Sequence, residues 1–374
     1  MISNRAALVA VTVALVSGLI ISLAIRPPTR SAASSGEVMQ SSLMQKNQSA
    51  DIRWRVPLFV SENLPVLGEN PAYFADLLKR ASNDTIHLKL FDPGEIVPAF
   101  SITDAVREGK VQAGWTWLGY DQGKIPASAV IGAAPFGLEP WAYMGWWYKG
   151  GGQELTEQIY APHNLMPILC GIIGPETAGW FRQPIESVKD FEGLKIRFAG
   201  LGGKVLQRLG ASVTMLPGGE IFQALEKGAI DATEFSLPIV DDALGFARVA
   251  QNNYFPGWHQ PYTTAHLVIN LQIWEALAPA HQALFHTACT ASTGHMLAHG
   301  EAVQGAVIRD FEKNGVTARY LPMEILRELK SVTMQLLDEE AENDADFATI
   351  LASQRAFEAD YVLWKRLAYL PRDL

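Results

Sequence analysis

From Ile52 onward the chain alternates between two hydrophobic periods. Short apolar runs, read as strands, are followed by stretches with an apolar residue every three or four positions, read as amphipathic helices. The arrangement occurs twice. In the first copy a strand from Trp54 to Val60 leads to a helix with Tyr73, Phe74, Leu77 and Leu78 on one face. A strand from Ile86 to Phe91 follows, Pro93-Gly94-Glu95-Ile96 opens a helix that stops near Gly109, and a third strand runs Val111 to Trp117. In the second copy a strand from Leu194 to Ala199 leads to a helix containing Val205, Leu206 and Leu209. Then come a strand from Ser212 to Leu216, a helix opened by Pro217-Gly218-Gly219-Glu220-Ile221 and closed at Gly228, and a strand from Ile230 to Phe235. The pattern predicts an α/β fold with two βαβαβ lobes. A cleft between such lobes is a clamp for a small molecule, because ligands of open parallel sheets sit beyond the carboxyl ends of the strands. A two-domain enzyme reusing one superfold fits the same pattern.

Past the second copy, Thr263 to Asn270 reads as a strand. No proline interrupts Pro279 to Pro322, so a helix is expected to about Asn314. At that length it spans about 50 Å, enough to lie across both lobes. A strand from Val316 to Leu321, a helix from Pro322 to about Glu342 and an amphipathic tail from Phe347 to Tyr369 complete the chain. The expected partition is a first lobe of about 52–173 and 265–310 and a second of about 174–264 and 311–374. Hinge strands fall near 174–178 and 262–265.

The N-terminus points to export. Arg5 precedes an uncharged apolar run from Ala6 to Ile25, closed by Arg26-Pro27-Pro28. The run matches the length a helix needs to cross a bilayer. A small-residue cleavage site exists only beyond two prolines and two arginines, which favours an uncleaved anchor over a removed signal within segment 1–28. Residues 29–51, rich in Ser, Ala, Gln and Gly, read as a flexible tether. A chain of 374 residues that is 48% hydrophobic can bury one large or two ordinary cores. The net charge of -9, without any basic run, excludes nucleic acid as a partner. Of the two cysteines, Cys170 and Cys289, neither sits in metal spacing. Two buried free thiols are the favoured reading, with a disulfide open to them in an oxidising compartment.

Catalytic motifs are missing: there is no GxSxG, HExxH, P-loop or GxGxxG. His295 and His299 share a helix face but lack a third ligand, and read as solvated. Glu95 and Glu220 suit the positive ends of the helices they open. What stands out is polarity placed at apolar strand ends. Arg197, inside Leu194-Lys195-Ile196-Arg197-Phe198, requires an anion, either a structural carboxylate or a ligand carboxylate held by the planar fork. Glu234 closes the last strand of the second lobe. Trp117 and Tyr120 end the first lobe, and Trp258 and Gln260 precede the return strand, as a cleft wall would require.

These residues resemble a known family. Gly193-Leu194-Lys195-Ile196-Arg197, Pro217-Gly218-Gly219-Glu220-Ile221, the run from Ala224 to Glu234 and Tyr254-Phe255-Pro256-Gly257-Trp258 are similar to the periplasmic binding subunits of TRAP transporters. Gly94-Glu95-Ile96-Val97-Pro98-Ala99, Gly150 to Leu155 and Gly179-Trp180-Phe181 extend the match over most of residues 52–368, in the branch that includes 2-oxoacid binders. The resemblance implies a two-lobed periplasmic clamp with hinge strands and a spanning helix. Such a clamp captures a small organic acid and passes it to an ion-driven permease, with Arg197 as the carboxylate anchor. In that branch a metal bridges ligand and protein. Its ligand positions correspond here to Ile172, Glu234, Phe235 and Gln260, so one donor and one charge are lost. The expectation is therefore no cofactor. Residual Na+ or Ca2+, if retained, would use Glu234, the carbonyl of Phe235 and Gln260. Ile172 is expected to make the pocket floor apolar. The chain ends soon after Tyr369-Leu370-Pro371, which favours a monomer over the helix-mediated dimers of some relatives. The competing reading is a membrane-tethered sensor or enzyme on the same clamp.

Overall fold

The computed structural model describes residues 51–370. The anchor, and all of the tether except Asp51, lie outside them. Among the described residues no helix is long and apolar enough to cross a membrane.

Strand β1 (Ile52–Pro57) turns Ile52, Trp54 and Val56 inward, followed by helix α1 (Glu69–Ala81) and strand β2 (Ile86–Phe91), parallel to β1. Helix α2 (Ile102–Arg107) begins later than the Pro-Gly turn suggested. Gly94 takes a left-handed φ of 85° and Pro98 is extended, so the segment turns first, and Glu95 accepts the Asp92 N–H at 2.8 Å. Strand β3 (Ala113–Thr116) then leads through helices α3 (Ser128–Gly132), α4 (Pro140–Lys149) and α5 (Gly152–Tyr160) to strand β4 (Leu165–Ile173).

The chain crosses into the second lobe at residues 174–178. There β5 (Gly179–Phe181), β6 (Lys195–Arg197), α6 (Gly200–Arg208), β7 (Ser212–Thr214), α7 (Gly218–Glu226), β8 (Ala232–Thr233), α8 (Pro238–Ala243) and β9 (Asn252–Phe255) follow. In this copy the helix does start at the Pro-Gly turn, with Glu220 in its first turn. Residues 256–262 lead back to β10 (Thr263–Asn270) and the short α9 (Leu271–Glu275). Helix α10 (Pro279–Asp310), strand β11 (Thr317–Tyr320), α11 (Met323–Asn343) and α12 (Ala345–Ala368) end the fold.

The two sheets share a plan. In the second the order is β11-β9-β5-β8-β6-β7, with β6 parallel to β7 and β8 and antiparallel β5 beside β8. In the first, β2 pairs with β1, a parallel bridge from Leu58 to Trp115 joins β3, and antiparallel β10 lies between β3 and β4. Each lobe thus borrows a strand that the chain delivers after crossing over.

Helix α10, 32 residues and about 48 Å long, ties the lobes together. Phe285 stacks on Trp54 of the first lobe at 5.0 Å, and just past the helix end Phe311 packs on Trp180 of the second at 5.5 Å. Cys170 in β4 and Cys289 in α10 form a disulfide, not the expected free thiols. The two cysteines face one another where the helix lies on the sheet, a juxtaposition that sequence spacing does not reveal. Nor are His295 and His299 simply solvated: the first stacks on Tyr73 at 3.8 Å and the second lies 3.5 Å from Glu69. Helix α11 lies along α6, with Lys204 paired to Glu340 and Arg208 to Glu339. Helix α12, expected with the second lobe, packs on the first: Trp146 donates to Ser353 and Gln354 to the Val130 carbonyl.

Candidate functional site

The two crossovers press together beneath the cleft. Gly257 has no room for a side chain because the Glu176 backbone occupies that space, and the Glu176 N–H donates to the Gln260 carbonyl at 3.2 Å. This contact fixes Glu176 beside His259. Above it a small cavity of about 30 Å³ opens between the lobes. The first lobe supplies an aromatic and apolar wall of Phe59, Leu67, Trp117, Tyr120 and Met296. Tyr120 is held edge-on by Phe100 and Trp117 at 4.8 and 5.0 Å. The second lobe supplies the charge, Arg197 and Glu234, with Phe235 beneath the guanidinium at 5.3 Å.

Arg197 is 1% exposed and Glu234 fully buried. One guanidinium nitrogen, Nη1, donates to the Glu234 carboxylate and to its backbone carbonyl, each at 2.8 Å, and Nε donates to the Leu216 carbonyl at 3.1 Å. A guanidinium carries five N–H groups; those of Nη1 and Nε are turned to protein, and the guanidinium also interacts with the Tyr120 hydroxyl at the cavity. Of the two anions foreseen for Arg197, the structural carboxylate is Glu234, on Nη1. Glu234 Oε1 also accepts the Ala199 N–H. Burial pushes the Glu234 carboxyl up, but Arg197, His259 and the Ala199 amide outweigh it and hold the group below its ordinary range. Burial pushes the Tyr120 phenol up to about 12, so it stays a neutral donor facing the cavity.

Two residues not singled out from the sequence as site residues complete the cluster. Glu176 accepts from Thr263 at 2.7 Å through Oε1, and its Oε2 has no hydrogen-bond partner. His259 Nε2 lies 3.5 Å from Glu176 Oε2 and 3.7 Å from Glu234 Oε2, beyond hydrogen-bond length for either. Burial lowers the imidazole's affinity for a proton, but the two carboxylates reverse this and raise its pKa to about 9. Burial raises the Glu176 carboxyl, with His259 acting against it.

Of the residues selected from sequence, Arg197, Glu234, Phe235, Gln260, Trp117 and Tyr120 meet at the cavity. Trp258 and Ile172 do not line it. Trp258 lies behind, between Phe198 and Phe136 at 5.9 and 5.7 Å, and Ile172 is buried within β4 opposite Thr264. The apolar character expected of Ile172 comes instead from Leu67 and Met296.

Residues 59–344 match the family of bacterial extracellular solute-binding proteins, family 7, DctP. This chain belongs to that family. A monocarboxylate 2-oxoacid-binding periplasmic protein of Nostoc sp. is 35% identical over 318 residues, 85% of this chain and 87% of its own length. A TRAP transporter solute-binding protein from Bordetella bronchiseptica, solved with copurified calcium and picolinate, superposes with a TM-score of 0.84 at 31% identity, covering 86% of this chain and 95% of that one. One from Pseudoalteromonas atlantica, with sodium and pyruvate, superposes at 0.82 with 28% identity, covering 85% and 97%. The family member described here is a periplasmic solute-binding protein of two α/β lobes, and not an enzyme.

Proposed function

We propose that this protein captures a small monocarboxylate in the interlobe cavity and delivers it to the membrane permease of a TRAP transporter. The observation that carries the reading is the divided guanidinium of Arg197: Nη1 and Nε are anchored to protein, and the guanidinium lines the cavity beside the neutral phenol of Tyr120, with which it interacts. The anchored nitrogens fix the direction of the guanidinium, so a carboxylate meets a preorganised donor with little entropy left to lose. The aromatic and apolar wall suits a short hydrocarbon or aromatic body. Relatives that hold 2-oxoacids, pyruvate and picolinate support a ligand of this class. The N-terminal apolar run is proposed to tether the module to the inner membrane.

The relatives' hard cations fit these residues poorly. Calcium takes six to eight oxygen ligands. Here Ile172 offers none, Glu234 Oε1 is committed to Arg197 and Ala199, and Gln260 offers at most a neutral amide oxygen in place of a carboxylate. The test of the carboxylate reading is calorimetry with pyruvate, lactate and picolinate on the wild-type protein and on Arg197→Lys. A lysine has neither the fork nor the reach to hold Leu216, Glu234 and ligand together, and is expected to weaken binding about tenfold or more. Unchanged affinity in a folded lysine variant would make Arg197 a purely internal ion pair and end this reading.

A further inference from the structure

We infer that Glu176, Glu234 and His259 form a site for a borderline divalent transition metal, zinc being the reference ion, at the base of the ligand cavity. The inference rests on the cavity being the solute site. It replaces the oxygen-only sodium or calcium chemistry of the relatives with a mixed nitrogen and oxygen set.

Geometry carries it. One oxygen of each carboxylate and a nitrogen of the imidazole lie within 4.8 Å of one another, all three residues buried. The two oxygens, Glu176 Oε2 and Glu234 Oε2, have no hydrogen-bond partner, and neither has His259 Nε2. All three converge: the nitrogen is 3.5 Å from one oxygen and 3.7 Å from the other. Zinc bonds of about 2.0–2.2 Å at tetrahedral angles separate neighbouring ligand atoms by about 3.3–3.5 Å, which the two nitrogen–oxygen separations already approach. A proton serves these atoms less well. Nε2 carries one hydrogen and can direct it at one carboxylate only, and both are too distant for a good bond. A metal on Nε2 satisfies both at once. Nδ1 lacks a partner in either case and does not discriminate.

Charge points the same way. With His259 neutral, as a metal ligand must be, two carboxylates against the guanidinium of Arg197 leave one net negative charge in a buried cluster. A divalent ion turns this into one net positive charge, which the carboxylate of one bound acid cancels. Glu176 and Glu234 both line the cavity, so a metal held by them would lie at its edge, within reach of an acid bound there. Imidazole among the ligands shifts preference away from sodium and calcium and toward zinc, cobalt and nickel.

The experiment uses the full chain, freed of metal by chelator and titrated with Zn2+, Co2+, Ca2+ and Na+ without any organic acid. Zinc is expected to bind one to one and at least tenfold more tightly than calcium. Cobalt is expected to give the intense visible bands of a four-coordinate site. His259→Gln and Glu176→Gln, each checked for folding by circular dichroism, should each weaken zinc by tenfold or more. Calcium or sodium binding as tightly as zinc, a cobalt spectrum without those bands, or zinc affinity unchanged in a folded His259→Gln protein would each overturn the site. The cobalt spectrum is read on the unsubstituted protein, so a variant that fails to fold leaves the test intact. Zinc binding with no acid bound under any condition would sink the organic-acid reading and leave the metal site standing. Acid binding without zinc selectivity would do the reverse.

Discussion

At the scale of single residues, the cleft is supported by a buried acid that touches neither ligand space nor crossover. Asp121 closes the turn that carries Tyr120, accepting from Thr103 and, at 3.3 Å, from Tyr160. Burial raises its carboxyl to about 6, against the lowering effect of those two hydroxyls. The folded state therefore binds this proton more tightly than the unfolded chain does. The stability it confers is fully present below the ordinary carboxylate range and is lost as pH rises through about 6. Asp121→Asn keeps an acceptor for the turn and removes the ionisation. It is expected to raise stability by about 1–3 kcal/mol near pH 7.5 and to flatten the slope between pH 4 and 6; urea unfolding across that range measures both. The site itself was legible only in part. Arg197 and Glu234 announce themselves because a charge inside an apolar strand demands a partner. Glu176 and His259 carry no such signal: each sits in an irregular crossover, without periodicity, and they meet only because Gly257 lets two backbones touch. Trp258 shows the opposite error, since an aromatic at a strand end can equally well be the packing behind a pocket wall.

At the scale of elements, the strands and helices of the repeat were readable because each copy keeps its hydrophobic period and its turn residues. The two Pro-Gly turns are not equivalent: past the first, Pro98 is extended and a 3-10 turn at Ala99–Ser101 precedes the helix, which begins only at Ile102. Strand β4 was unreadable for a related reason, because Pro167 argues against a strand, yet it pairs opposite Val268 within the sheet. The disulfide belongs to this scale as well. It fastens the middle of β4 to the spanning helix α10 across a separation of 119 residues. Closing so long a loop in the unfolded chain removes much of its entropy, typically stabilising the fold by about 2–4 kcal/mol. The double substitution Cys170→Ser and Cys289→Ser is expected to lose about that much, read as a lower urea midpoint, and dithiothreitol should lower the wild-type midpoint by a similar amount. A midpoint insensitive to both would mean that the packing of α10 on β4 alone holds the helix in place.

At the scale of the whole molecule, the cleft is shut. Arg197 and Glu234 are almost wholly buried, and about 30 Å³ between the walls is room for a water or two rather than an organic acid. An acid reaches Arg197 only if the aromatic wall of the first lobe draws away from the charged wall of the second. Four chain passages permit or resist that motion. Residues 174–178 and 256–262 are short irregular crossovers that can absorb rotation through a few dihedrals. Helix α10 is pinned to the first lobe by the disulfide and by Phe285, so bending concentrates toward Phe311. The last passage is the joint at Asp344, one extended residue between α11 on the second lobe and α12 on the first, whose side chain caps Phe347 at 2.7 Å. An open state populated without ligand and a closed state selected by the acid follow from this layout. On the proposed reading the acid would bond to groups on both walls only when they meet, and that difference in contacts would shift the equilibrium. Small-angle scattering is expected to give a larger radius of gyration for the acid-free protein than for the acid-saturated one. Arg197→Lys should need roughly tenfold more acid to reach the compact form, the same factor expected in its affinity. A radius that does not change at saturating acid would mean that the lobes do not move, and that the acid enters by side-chain rearrangement at the Tyr120 wall.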